Sequence, residues 1–108
     1  MSRVLLLGAH AGLDAAFAAA GVTVETLAAG ADAAQLTAAG IADAELLVVT
    51  QMADATTAVV ARELHPTLRV IAYSGESLPA VATTQVDLAV DPALVSPAGL
   101  VDAWVDEA

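Results

Sequence analysis

Residues 3–21, RVLLLGAHAGLDAAFAAAG, contain the three features that decide the fold. The uninterrupted apolar run Val4–Leu7 ends at a glycine and is typical of a strand covered on both faces. An alanine-rich helix over Leu13–Ala20 follows, and Gly21 stands where a C-terminal cap belongs. A strand, a glycine turn and a helix in this order open many α/β domains, including those that bind nucleotides.

The turn between this strand and this helix departs from the dinucleotide-binding fingerprint G-x-G-x-x-G. Here Gly8 is followed by Ala9, His10, Ala11 and Gly12, so a histidine takes the place of the second glycine. The two glycines either let backbone N–H groups approach a phosphate at the start of the helix or serve only the tight turn. His10 either contacts a phosphate or sugar or is merely solvated.

Strands and helices alternate through the rest of the 108 residues. Further strands are predicted at 22–27, 46–50, 69–73 and 86–90, and further helices at 32–39, at 54–64, from Ser77 and from Ser96-Pro97. Continuous apolar strands between helices predict a parallel sheet covered on both sides, and right-handed crossovers favour the order 2-1-3-4-5. The sequence therefore predicts one α/β domain over residues 1–108, a five-stranded, doubly wound three-layer sandwich of the Rossmann or flavodoxin-like class.

The charge balance restricts partners and location. The chain has thirteen acidic residues, three arginines and no lysine, which gives it a net charge of −10. A surface with this charge repels nucleic acids and anionic membranes. Charged residues interrupt the chain before any apolar run reaches the roughly 20 residues of a membrane span, so the expected location is the cytoplasm. Many short acids, no lysine and much alanine are typical of a high-salt, haloarchaeal cytoplasm.

A ligand site in such a sheet lies at the carboxyl ends of the strands, where the strand order reverses. That crevice is predicted between the turn after the first strand and the turn after the third. The candidate cofactor-binding residues are Gly8, Ala9, His10, Gly12, Thr50, Gln51 and Asp54. Asp54 alternatively serves only as a helix cap.

Several chemistries are disfavoured by the residues present. A phosphorylated receiver domain has this size and topology, but it needs paired acids after strand one, an aspartate ending strand three and a lysine after strand five. Those places hold Gly8-Ala9, Thr50-Gln51 and Asp91. The chain also lacks a P-loop, a nucleophile elbow and a zinc-ligand spacing, so neither catalytic nor metal-binding residues are predicted.

Two segments, AGIADAE at residues 39–45 and ARELHPTLRVIA at residues 61–72, carry a family resemblance. Residues 39–95 resemble the N-terminal nucleotide-binding domain of the TrkA/RCK family, which regulates potassium uptake and conductance. The resemblance implies a homodimer and binding of NAD or an adenine nucleotide at the crevice. The place of the family's ribose-binding acid holds Ala28.

The expected function is that of a small stand-alone TrkA-N-like protein, regulatory or nucleotide-binding, with a degenerate phosphate-binding turn and no catalysis. Two alternatives stay open at this point. One is a small nucleotide-dependent enzyme, an oxidoreductase or transferase, that uses the same crevice. The other is a structural interaction module whose crevice is empty.

Overall fold

The computed structural model describes residues 3–8, 12–28, 31–50, 55–74 and 86–107. The strands are β1 (Arg3–Leu7), β2 (Thr23–Leu27), β3 (Leu46–Val49), β4 (Arg69–Tyr73) and β5 (Leu88–Val90). The helices are α1 (Leu13–Ala19), α2 (Ala33–Ala38), α3 (Ala55–Leu64) and α4 (Pro97–Glu107), with one 3₁₀ turn at Ile41–Asp43. The helix predicted from Ser77 lies outside the described residues.

The sheet confirms the predicted fold class. All four neighbouring pairs are parallel, and the strand order is β2-β1-β3-β4-β5. The order reverses beside β1, where Val4 is level with Val24 of β2 on one side and Leu46 of β3 on the other. The carboxyl ends of β1 and β3 therefore flank the predicted crevice.

Alternating side chains of the sheet enter two separate cores. Leu5 and Leu7 face the side covered by α2 and α3, whereas Val4 and Leu6 face the side covered by α1 and α4. On the second side Phe17 of α1 meets Trp104 of α4 edge to face, with ring centroids 5.7 Å apart. Burial of β1 on both faces explains why its sequence is an unbroken apolar run.

Local signals fixed the helix ends as the sequence predicted. Gly21 has φ 81° and its N–H donates to the Ala18 carbonyl, which closes α1. Asp32 caps α2 by accepting a hydrogen bond from the Gln35 N–H at 2.8 Å, and the Gln35 side chain accepts from the Asp32 N–H at 2.9 Å. This reciprocal pair is a capping box.

Four strand boundaries differ from the prediction. β1 begins at Arg3 rather than Val4, and β2 begins at Thr23 rather than Val22. β3 ends at Val49, one residue before Thr50, and β5 begins at Leu88 rather than Val86. The late start of β5 has a visible cause at Asp87. Its carboxylate accepts a hydrogen bond from the Val70 N–H at 2.8 Å, in place of a carbonyl from a neighbouring strand.

Candidate functional site

Three of the seven predicted cofactor-binding residues can be placed at the carboxyl edge of the sheet. Gly8 and Thr50 directly follow β1 and β3, and Gly12 directly precedes α1. The structure therefore brings Gly8 and Thr50 to adjacent strand ends, as the topology predicted. The other four, Ala9, His10, Gln51 and Asp54, lie outside the described residues.

Gly8 continues the sheet by one residue. Its N–H donates to the Leu27 carbonyl at 2.9 Å, so it is already paired with the end of β2. Its φ of 79° lies in the left-handed region that favours glycine, and this accounts for the residue type through the turn alone.

The backbone conformation of Gly12 favours glycine. Its φ is 92°, whereas a Cβ atom there would make only an ordinary contact, 3.6 Å from Cγ of Pro97, the first residue of α4. Its carbonyl accepts the first hydrogen bond of α1, from the Ala16 N–H at 2.9 Å. Gly12 therefore has a structural role in the turn that starts α1.

Thr50 ties β3 to β1 through both of its donors. Its hydroxyl donates to the Leu7 carbonyl at 2.7 Å, and its backbone N–H reaches the same oxygen at 3.3 Å. The side chain is half-buried. At the end of β3, where a receiver domain has its phosphate-accepting carboxylate, this chain thus has a hydroxyl whose proton is held by the backbone.

Asp91 organises the turn that follows β5. Its carboxylate accepts from the Ala93 N–H at 2.9 Å, and its carbonyl accepts from the N–H groups of Leu94 and Val95 at 2.9 and 3.1 Å. The buried Tyr73 fixes the same turn by donating its hydroxyl to the Val95 carbonyl at 2.6 Å. Burial raises the pKa of Tyr73, so the phenol keeps its proton at neutral pH.

The permanent positive charges lie at the opposite edge of the sheet. Arg3 and Arg69 are the first residues of β1 and β4, and Arg62 is in the last turn of α3. Because the chain has no lysine, these three arginines are all of its permanent cations. An anionic ligand at the carboxyl edge would meet no arginine or lysine side chain there.

Arg62 forms a salt bridge and a backbone hydrogen bond at this amino edge, and sequence reasoning missed both. Its Nε donates to the Leu68 carbonyl at 2.9 Å, and its Nη2 donates to both oxygens of Asp87 at 2.9 and 3.0 Å. Asp87 also returns a backbone hydrogen bond to the Val70 carbonyl at 2.8 Å. Together these hydrogen bonds join the end of α3 to the starts of β4 and β5.

The pKa of Asp87 lies below its ordinary value. Partial burial alone would raise it, but the Val70 N–H, the Arg62 guanidinium and the nearby charge of Arg69 together favour the carboxylate and outweigh burial. Arg62 near the end of a predicted helix and Asp87 inside the strand predicted at 86–90 were visible in the sequence, but their pairing depends on the tertiary fold.

His65 also serves the scaffold. Its Nε2 lies 3.0 Å from the Ala44 carbonyl, which accepts the Nε2 proton, and its Nδ1 lies 3.3 Å from the Thr67 hydroxyl. Together with Arg62 and Arg69, this histidine belongs to the segment ARELHPTLRVIA. Hydrogen bonding and ion pairing at the amino edge thus account for the most distinctive residues of that segment.

The described part of the chain has neither a metal-binding cluster nor a membrane-spanning helix. No group of three or more histidine, aspartate and glutamate side chains is arranged to hold a metal ion there. Within the same residues, none of the helices has the length and apolarity to cross a bilayer.

The fold is that of receiver domains. The orphan response regulator HP1043 of H. pylori has a TM-score of 0.73 at 16% identity, covering 97% of this chain and 94% of its own. A chain in the crystal structure of the histidine kinase ThkA with the response regulator TrrA gives 0.73 at 14%, covering 99% and 97%. A CheY-like receiver domain from Methanospirillum hungatei JF-1 gives 0.71 at 17%, covering 99% and 93%.

These matches correct the expected function. A TrkA-N-like, nucleotide-binding role is wrong, because the solved structures that share the whole fold are response-regulator receiver domains. The descriptions of the protein as TrkA-N, RCK and nucleotide-binding are therefore also wrong. The sequence resemblance of residues 39–95 to TrkA/RCK domains is not tested by these matches and stays a prediction.

No curated protein is significantly similar to this sequence. The profile described as "Family of unknown function (DUF7126)" matches residues 4–104, from β1 into α4. The chain belongs to this DUF7126 family.

Proposed function

We propose that this protein is a signalling regulator of receiver type that acts without accepting a phosphoryl group. The observation that carries the proposal is the match of the whole chain to whole receiver domains, 97–99% of its length against 93–97% of theirs. Such a match favours a regulatory module, because nearly the whole chain superimposes on nearly the whole of each receiver structure.

The carboxyl edge supports the second half of the proposal. A receiver needs acids after β1, a carboxylate acceptor at the end of β3 and a cation after β5. This chain has Gly8 bonded to β2, Thr50 bonded to Leu7, and Asp91 capping its own turn. Each described position thus has a structural role, and the cation is replaced by an anion.

The expected chemistry is tested with a small phosphodonor. The full chain is incubated with acetyl phosphate and Mg²⁺ in molar salt, and its intact mass is measured beside a receiver domain that keeps the acids and the lysine. We expect a phosphoryl adduct on the control and none on this chain. A stable adduct on this chain would contradict a phosphorylation-independent mechanism.

The regulatory role is tested by its partners in the native cell. The tagged chain is purified in high salt, and proteins that co-purify in stoichiometric amounts are identified. A sensor kinase or a transcription regulator among them is the expected result. Stoichiometric recovery of metabolic enzymes alone would contradict the signalling role.

Location and assembly complete the proposal. We place the regulator in the cytoplasm, on the basis of its acidic, cysteine-free composition. We further propose a homodimer, the simplest closed assembly and the commonest among soluble oligomers. Size measurement in solution tests this part, and a monomer at every salt concentration would contradict it.

A further inference from the structure

An open apolar groove lies between α1 and α4. It has a volume of about 200 Å³, and most of its walls are alanine side chains. The residues that line it are Ala16, Ala19, Ala20, Ala98, Val101 and Asp102. An apolar cavity of about 150 Å³ holds a benzene molecule, so this groove has room for the apolar part of one side chain of another molecule.

Asp102 is the only charged residue of this lining. It lies one helical turn after Ala98 in α4, and its side chain is exposed. Among the described residues, no hydrogen bond or ion pair engages its carboxylate, whereas the Asp87 carboxylate is paired with the Arg62 guanidinium. The groove thus combines apolar walls with an uncompensated negative charge.

An arginine side chain has the chemistry that this combination accepts. Its methylene stem packs against apolar surface while its charged head stays at the rim. The guanidinium is planar and only weakly hydrated, and it donates two parallel hydrogen bonds to one carboxylate. A lysine ammonium lacks this planar, bidentate geometry. A purely apolar group would leave the Asp102 charge unpaired, and an acidic group would be repelled by it.

The arginine has to come from another protein. This chain has no lysine, and its three arginines, Arg3, Arg62 and Arg69, lie at the amino edge of the sheet. Each of them already interacts within the chain, Arg3 with the Ala39 carbonyl, and Arg62 and Arg69 with Asp87. A second copy would bring a further net charge of −10 to the groove. Charge complementarity at this groove therefore favours a basic partner over a second copy.

We propose that the α1–α4 groove binds an arginine side chain of a basic partner protein, and that Asp102 accepts the hydrogen bonds of its guanidinium. The groove thereby gives the proposed regulator a recognition site for its partner, so the assignment rests on that proposed function. The net charge of −10 acts over a longer range, because it attracts a basic surface and raises the association rate. The direct contact with Asp102 provides the specificity.

Two helical peptides that differ at one residue test the preference for arginine. Both are short, with capped ends and leucines around the central position, which is arginine in one and glutamine in the other. Binding is measured by shifts of the backbone amide NMR signals at 1 M salt, where charges are screened over about 3 Å and only direct contacts persist. The arginine peptide should shift the signals of Ala16 to Ala20 and Ala98 to Asp102, and the glutamine peptide should not. Equal shifts with both peptides, or none with either, would overturn the proposal.

Two pairs of variants locate the contact. Asp102→Asn should weaken binding of the arginine peptide about tenfold, because the charge-assisted hydrogen bonds become neutral ones. Asp43→Asn removes the same charge from the 3₁₀ turn and should leave the affinity unchanged. Ala19→Phe fills the groove at an exposed position of α1 and should abolish binding, whereas Ala18→Phe, exposed on the same helix outside the lining, should bind like the parent chain. Unchanged affinity in both Asp102→Asn and Ala19→Phe would contradict the assigned site.

Purification from the native cell separates this site from the proposed function. The sensor kinase or transcription regulator expected to co-purify with the parent chain should be depleted with Asp102→Asn and retained with Asp43→Asn. Equal recovery with Asp102→Asn would overturn the arginine site and leave the signalling role standing. Recovery of metabolic enzymes alone would overturn the signalling role, and the peptide experiment would then still decide whether the groove binds arginine.

Discussion

Thr50 shows how one side chain can change the chemistry available at a strand end. A carboxylate at this position has lone pairs to offer and no proton, whereas the Thr50 hydroxyl has a proton and places it on the Leu7 carbonyl. The position therefore contributes to holding β3 beside β1. Thr50 directly follows β3, at the strand end that the sequence indicated, but the direction of its hydroxyl depends on a strand 43 residues away.

We expect Thr50→Val to destabilise the fold by about 1 kcal/mol, because the hydroxyl hydrogen bond to Leu7 is lost. The measurement is the free energy of unfolding in denaturant, in molar salt. Thr50→Ser keeps the donor and serves as the control. Equal stability of the valine variant and the parent would show that this hydrogen bond contributes nothing.

Asp87 gives the protein a defined acid sensitivity. Its folded-state pKa is lowered, so its carboxylate stabilises the fold at pH values above the unfolded pKa of about 3.9. That stabilisation is lost as the pH falls through the folded-state pKa below this value. The sign follows from the proton being bound more weakly in the folded chain.

We expect Asp87→Ala to cost about 1–3 kcal/mol at neutral pH, since the Val70 N–H and the Arg62 guanidinium both lose an acceptor. Unfolding free energies at pH 7 and at successively lower pH values give the measurement. The gap between variant and parent should close in acid. A gap that stays constant down to pH values below the folded-state pKa would contradict the assigned role.

Helix ends were the elements that sequence predicted best. Gly21, Asp32 and Ser96 act through groups only two to four residues away, so the sequence contains the whole interaction. The start of β5 was mispredicted for the opposite reason. Val86 and Asp87 directly precede the apolar residues of β5, so the sequence assigned them to the strand. In the folded sheet, however, the Asp87 carboxylate accepts the hydrogen bond of the Val70 N–H on β4.

The two glycines that follow α1 and α2 form a matched pair. Gly21 and Gly40 have φ of 81° and 90°, but a Cβ atom at Gly21 would meet nothing within 4 Å, whereas at Gly40 it would lie 2.8 Å from Nη1 of Arg3. The Arg3 guanidinium donates to the Ala39 carbonyl at 3.2 Å. Moving it aside sacrifices that hydrogen bond.

We expect Gly21→Ala to cost about 1 kcal/mol through backbone strain alone, and Gly40→Ala to cost about 1 kcal/mol more. Unfolding free energies of the two variants measure the difference. In an Arg3→Ala background, the excess cost at Gly40 should disappear. If it persists there, the arginine is not its cause.

For the molecule as a whole, the fold was predictable and the function was not. The alternation of apolar strands with helices predicted the topology. β1, β3 and β4 are buried on both faces, and their nearly unbroken apolar sequences indicate this burial. The segment ARELHPTLRVIA carried the family resemblance, yet Arg62 and His65 in it bind backbone and side-chain groups of the scaffold. Residues that a fold needs for itself give no information about its ligand.

The net charge of −10 predicts that stability rises with salt. Folding brings these charges closer together, and about 1 M salt screens them over about 3 Å. Thermal unfolding midpoints across a chloride series, at protein concentrations where the chain is monomeric, provide the measurement. The double variant Asp14→Asn with Asp102→Asn should show a shallower rise, and a midpoint independent of salt would contradict the repulsion argument.

The packing of Trp104 against Phe17 gives the protein an intrinsic optical reporter. Trp104 is the only tryptophan and Tyr73 the only tyrosine, and both are buried on the side of the sheet that α1 and α4 cover. Fluorescence from the indole therefore reports the packing of α4 against α1. Loosening of this side of the molecule is thus observable by emission wavelength in unlabelled protein, separately from events on the α2–α3 side.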